Sequence, residues 1–143
     1  MRAKYYIPTI EEFYVGFEYQ IINGYEWFDK IFSKEDLKSF LYEELENGLK
    51  QQYLRVKYLD KSDIESLLWR PLMLEGTRAF LLNDNGDVYF LNIIPADKMG
   101  VRLQIAEVPG EKLNDKFVIF SGWIKNISEL KVLMKQLEIG KWE

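Results

Sequence analysis

Arg55 and Lys57 stand two residues apart in the alternating stretch YLRVKYL, residues 53–59. In a strand, residues i and i+2 share a face, so these two cations would lie about 6–7 Å apart. That spacing suits a phosphate or a carboxylate, and the planar arginine fork adds two-point recognition. The stretch IPTIEEFYVGFEYQII, residues 7–22, offers a second set. If Phe13, Val15, Phe17, Tyr19 and Ile21 turn to the core of a strand over 13–22, then Tyr14, Glu18 and Gln20 line its other face. Gly16 would then let a backbone or a ligand approach closely. Tyr14, Glu18, Arg55, Lys57 and Arg78 are therefore the candidate residues for binding a small anionic ligand. The plainer alternative is a solvated strand face, whose charges guard against edge pairing.

Chemistry beyond binding has less to draw on. The chain has no cysteine and no histidine. Disulfides, thiolate zinc sites, cysteine nucleophiles and histidine bases are therefore all excluded. No residue takes a catalytic role, and no cofactor or metal site is predicted. The nearest metal-like motif is NDNGD, 83–87, but a calcium loop needs a glutamate where Asn92 stands, and Asn85-Gly86 suits a type I′ hairpin turn. A carboxylate-based, divalent-metal hydrolase is the catalytic alternative. It requires several of Glu11, Glu18, Asp60, Asp63, Asp84 and Asp87 to converge.

Aromatic residues are unevenly placed: 14 of the 22 fall in the first 60 positions. Trp27, Trp69, Trp123 and Trp142 are spread along the chain. Such side chains serve equally in cores and at binding surfaces. Of the four, Trp142 has the terminal position best suited to exposure or to sealing against a partner.

Charge narrows the partners. The net charge is −4, and no segment is strongly basic. Duplex nucleic acid is not expected, since such binding rests on phosphate neutralisation. No apolar run reaches the roughly 20 residues of a membrane span, and MRAKYYIPTIEEF lacks a signal-peptide apolar core. No membrane association is expected, and the default setting is cytoplasmic.

The elements that must hold these residues follow from periodicity. Ser33 and Asp36 open a helix over about 34–47, with Leu37, Phe40, Leu41, Leu45 and Leu49 at helical spacing and Gly48 as its stop. Glu43, Glu44 and Glu46 flank that stripe. Ser62-x-x-Glu65 starts a short helix with Ile64, Leu67 and Leu68 on one face, ended by Arg70-Pro71. TRAFLL, DVYFLNII, VRLQIAEV and KFVIFSGWI read as an antiparallel meander with Val101, Leu103 and Ile105 inward. Asn126 caps a last helix, with Ile127, Leu130, Leu133, Met134 and Leu137 as its stripe and Gly140 as its stop. The expected fold is α+β: a single domain over 1–143, mainly antiparallel sheet built from an N-terminal strand and a C-terminal meander, with two longer helices and one short helix.

Three patches, IPTIEEFYVGFEYQ, LRVKYLDKSDIESLLW and FSGWIKNISELKVLMKQLEI, together resemble a widespread set of short proteins from bacteriophages of gut bacteria and their relatives. The likeness covers about a third of the chain. That set more often has an acid where Gln20 stands and glycine where Leu68 stands. The resemblance implies a phage or prophage origin and action inside the host bacterium, and it implies no activity. Together with the residues, it makes the leading expectation a non-catalytic binding protein. Such a protein would capture a host molecule, either a nucleotide-like defence signal or a host or phage protein. A virion structural or assembly protein is the alternative.

Overall fold

The computed structural model describes residues 4–38, 41–72, 78–94, 101–108 and 117–140. Phe40, Thr77, Lys116 and Trp142 lie outside them, as do the side chains of Leu41, Glu43 and Glu44. The fold is α+β with antiparallel sheets throughout. The strands fall into two sheets rather than one, and the chain divides into two compact units, Ala3–Tyr58 and Leu59–Glu143.

In the first unit a four-stranded sheet is made of β1 (Tyr5–Tyr6), β2 (Glu18–Asn23), β3 (Glu26–Ile31) and β4 (Leu54–Lys57), in the order β1-β4-β2-β3. The β2–β3 hairpin closes on Gly24-Tyr25, with Gly24 at φ +69, the first-position glycine that a II′-type loop demands. The strand predicted over 13–22 is shorter at its start. Residues 14–17 form a turn in which the Phe17 N–H donates to the Tyr14 carbonyl, at 2.9 Å. Gly16 takes φ +103, and a Cβ there would meet nothing within 4 Å. Its role is thus backbone conformation rather than close approach. The turn is clipped to the end of β3 by Gly16 N–H to the Phe32 carbonyl and Phe32 N–H to the Phe17 carbonyl, both 2.8 Å.

That clip tucks Phe17 inward. Phe17, Phe32 and Val56 are buried, with Tyr6, Phe13, Tyr19 and Leu45 packed around them. Phe13 is the hub, its ring 4.8 Å from Phe17, 5.1 Å from Tyr19 and 5.7 Å from Phe32, in the tilted and edge-on geometries that ring quadrupoles favour.

The helix predicted over 34–47 is described as α1 (Lys34–Lys38) and α2 (Leu41–Lys50), with residues 39 and 40 outside the described residues. Ser33 and Asp36 do cap α1 reciprocally, at 2.9 and 3.1 Å. Gly48 is not a stop. It lies inside α2, where a Cβ would sit 3.4 Å from the buried Leu54, in ordinary van der Waals contact. The left-handed residue after α2 is Gln52, φ +61. Leu37 is exposed and not part of an apolar stripe.

The second unit is built on β5 (Arg70–Pro71), β6 (Ala79–Asp84), β7 (Asp87–Ile94), β8 (Val101–Val108) and β9 (Phe117–Ile124), paired in that order as a meander. Asn85 and Gly86 close the β6–β7 hairpin with φ of +53 and +94, as a type I′ turn requires. Val101, Leu103 and Ile105 are buried as predicted. They join a core of Phe80, Leu82, Tyr89, Leu91 and Ile124 from the sheet with Leu59, Ile64, Trp69, Leu130, Met134 and Ile139. Fully buried Trp69 donates its indole N–H to the Met134 sulfur at 3.4 Å, which satisfies the one polar atom of that ring.

Two helices flank this sheet, α3 (Lys61–Ser66) and α4 (Ile127–Gln136). The predicted start of α3 moves by two residues. Asp60 is the cap and Asp63 its capping-box partner, because their carboxylates accept each other's backbone N–H at 2.9 and 3.2 Å. Leu68 is not on the buried face of α3; it is 78% exposed with φ +74. That left-handed conformation is one that glycine adopts without strain and leucine does not. Asn126 caps α4 as predicted, accepting from Glu129 N–H at 2.9 Å while the Glu129 carboxylate accepts from Lys125 N–H at 2.7 Å. No described helix is long and apolar enough to cross a membrane.

Candidate functional site

The antiparallel register of the first sheet sets Arg55 opposite Gln20, and Gln20 opposite Asp29. Opposed residues in antiparallel strands share a face, so the three form one polar row across β4, β2 and β3. The row is hydrogen-bonded end to end. Arg55 Nε donates to Gln20 Oε1 at 2.7 Å, and Gln20 Nε2 donates to Asp29 Oδ1 at 2.9 Å. One row along, Tyr5 pairs with Lys57; one row back, Ile22 pairs with Trp27. Tyr5 and Trp27 therefore reach Arg55 from opposite sides of its row. The guanidinium carbon lies 3.7 Å from the Tyr5 ring centroid and 4.1 Å from that of Trp27.

Each contact fixes one freedom of the arginine. The two rings hold the guanidinium plane by cation–π attraction, and Gln20 holds its Nε edge. The remaining edge, with the two terminal nitrogens, is the part of the fork that binds oxyanions in two-point fashion. An arginine so constrained has already lost the side-chain entropy that an exposed one would lose on gripping a ligand.

Of the five residues singled out in the sequence, Arg55, Lys57 and Glu18 share this face, since β4 and β2 alternate as strands must. Tyr14 does not join them. It lies in the turn before β2, its ring 5.8 Å from that of Phe17 and edge-on to it. Arg78 belongs to the second unit, where its carbonyl accepts from Ile93 N–H at 2.9 Å. The residues that complete the clamp, Tyr5, Trp27, Gln20 and Asp29, were not predicted as a group. Counting outward from the Gly24-Tyr25 loop would have paired Gln20 with Asp29 and Ile22 with Trp27, but nothing local pairs β2 with β4 or β1 with β4.

The opposite face of the same sheet carries a hollow of about 360 Å³ between the strands and α2, lined by Tyr19, Ile21, Lys30, Asp36, Leu45 and Leu54, among others. Burial, and then the nearby Asp36 carboxylate, raise the Tyr19 hydroxyl above its ordinary pKa, so it is a neutral donor at any physiological pH.

Three of the six carboxylates weighed for metal binding are engaged elsewhere. Asp60 and Asp63 cap α3, and Asp84 Oδ2 accepts from Gly140 N–H at 3.1 Å. Neighbouring Glu12, too, accepts from Thr9 N–H at 2.6 Å and from the Tyr6 hydroxyl at 2.8 Å. Among the described residues no three acids converge in a group able to hold a metal ion. The four tryptophans separate by role: Trp27 clamps, Trp69 fills a core, Trp123 is 48% exposed on β9, and Trp142 lies outside the described residues. No protein-family model matches the chain, and neither does any curated protein or solved structure.

Proposed function

We propose that this is a non-catalytic binding protein whose first unit takes a small anionic ligand, a phosphate or carboxylate in chemistry, on the face carrying Arg55. The observation behind the reading is the clamp: a guanidinium held by Tyr5, Trp27 and Gln20, with its terminal nitrogens left for an oxyanion. Lys57 on the same strand face adds a second cation. The absence of imidazole and thiol throughout the chain favours capture over turnover. The likeness to gut-phage proteins makes host nucleotide-like defence signals the first ligands to try, with action in the host cytoplasm as the corresponding setting.

Thermal melts against inorganic phosphate, dicarboxylates and a panel of linear and cyclic nucleotides test this. A ligand at a hundred times its dissociation constant adds about 2.7 kcal/mol to stability, a plain shift in midpoint. The shift should vanish in Arg55→Ala and shrink in Arg55→Lys, which keeps the charge but not the fork. A panel that moves no midpoint, or a shift indifferent to Arg55, ends the reading.

A further inference from the structure

Among the described residues the two sheets have four edges, and three are guarded. β1 and β5 are two residues long, and β5 contains Pro71. β3 has six residues but carries Glu26, Asp29 and Lys30. Short length, proline and charge are the usual devices that stop an edge strand from recruiting another chain. β9 has none of them. It is eight residues of FVIFSGWI, without a charge or a proline, and among the described residues its one strand neighbour is β8. Phe117, Val118, Ile119 and Trp123 are all exposed on it. An edge of that kind presents unpaired N–H and C=O groups beside apolar side chains, which is a template for a further strand.

We propose that β9 pairs antiparallel with β9 of a second copy of this chain, joining two five-stranded sheets across a two-fold axis. A strand free of charge sets no like charges opposite each other when it meets itself. The faces then fix the register. From the pairing with β8, Phe120, Gly122 and Ile124 lie on the packed face, while Ser121 and Trp123 lie on the outer one. Opposed residues must share a face, so two paired residue numbers sum to an even value.

The span available is bounded at both ends. Ile119 is the extra residue of a bulge, since Ile105 pairs with Phe120 and Ala106 with Val118. At the other end the Lys125 carbonyl already accepts from Leu59 N–H at 2.9 Å. Centring the pair on Ser121 keeps it inside those limits. Ser121 then faces Ser121 of the second copy, Phe120 faces Gly122, and Ile119 faces Trp123. On the packed face the Phe120 ring lies over Gly122 of its own strand, 2.9 Å from where a Cβ would sit, so the absent side chain is what lets that ring lie flat along the strand.

The protein's lack of cysteine makes the test direct. Opposed Cα atoms in an antiparallel pair lie about 4.5–5.5 Å apart, within disulfide reach. Light scattering on the full chain should give twice the 17.1 kDa chain mass. Ser121→Cys should form a covalent dimer on mild oxidation at least tenfold faster than Tyr25→Cys, a control at a fully exposed hairpin tip. Trp123→Lys should run at the single-chain mass with an unchanged far-ultraviolet spectrum. The proposal is overturned by a species of chain mass at every concentration, by a polydisperse assembly, by a dimer that survives Trp123→Lys, or by Ser121→Cys linking no faster than the control. The cysteine comparison stands even if Trp123→Lys misfolds. A phosphate or nucleotide shift at Arg55 neither supports nor opposes it.

Discussion

The two units solve the same packing problem with different residues. The second gathers mostly aliphatic side chains from β6, β7, β8 and β9 with Trp69, Leu130 and Met134 into a core of fully buried residues. The first relies on rings: Phe13, Phe17, Tyr19 and Phe32 pack together, and of these four only Phe17 and Phe32 are buried. Few fully buried residues mean a smaller hydrophobic contribution. The lesson is where each unit can spare surface. The first spends a whole sheet face on the row Arg55, Gln20 and Asp29. The second leaves an uncharged strand edge instead.

Emptying each core tests the contrast most severely. Trp69→Ala should cost about 3–5 kcal/mol, since it removes a fully buried ring and strands its space. Phe17→Ala should fall at or below the low end of that range, because the half-buried rings around it can close over the gap. Chemical denaturation with hydrogen exchange to assign the loss to a unit would measure both, and the reverse order would break the comparison. Asn126→Ala removes a buried helix cap and should cost about 1–2 kcal/mol, against about 0.5 kcal/mol for the half-buried cap Ser33→Ala in the first unit. Equal losses would show that burial of the cap is not what matters.

Leu68→Gly should add about 0.5–1 kcal/mol. Its exposed side chain sits at φ +74, where an L residue is strained. A lowered melting midpoint would mean that the leucine makes a contact worth more than the strain. Arg55→Lys should change stability by less than about 1 kcal/mol, as a half-exposed cation–π group contributes no more, while anion affinity falls about tenfold through loss of two-point binding. A large loss of stability would recast the clamp as scaffold.

The smallest effect lies at high pH. Burial, followed by Asp87, Glu107, Asp84 and Glu138, raises the Tyr89 hydroxyl above 10.0 in the folded state; burial and Asp36 do the same to Tyr19. Below pH 10 both states hold the proton and nothing changes. As pH rises past 10 the unfolded chain loses it first, so stability falls. Melting curves from pH 9 upward should lose part of that slope in Tyr89→Phe and in Tyr19→Phe. An unchanged slope in either would place the titration elsewhere.

How much of this was legible varies with range. The Asn85-Gly86 hairpin, the inward Val101, Leu103 and Ile105, and the Asn126 cap could be read directly, because each depends on neighbours a few positions away. The strand over 13–22 misread its own start. Alternation continues through Phe13, Val15 and Phe17, yet Gly16 at φ +103 turns the chain there, and the same ring pattern serves a tucked turn as well as a strand. Gly48 reads as a helix end for a similar reason: glycine is common past helix ends, yet here α2 runs through it to Lys50.

Sequence alone determined the chemistry this chain lacks. Without imidazole or thiol no fold could supply them, and the alternation of Arg55 and Lys57 fixed that both share one strand face. Tertiary structure alone decided what surrounds Arg55. Tyr5, Gln20 and Trp27 come from three strands separated along the chain, and the register that unites them is set by pairing between strands, which no local pattern encodes.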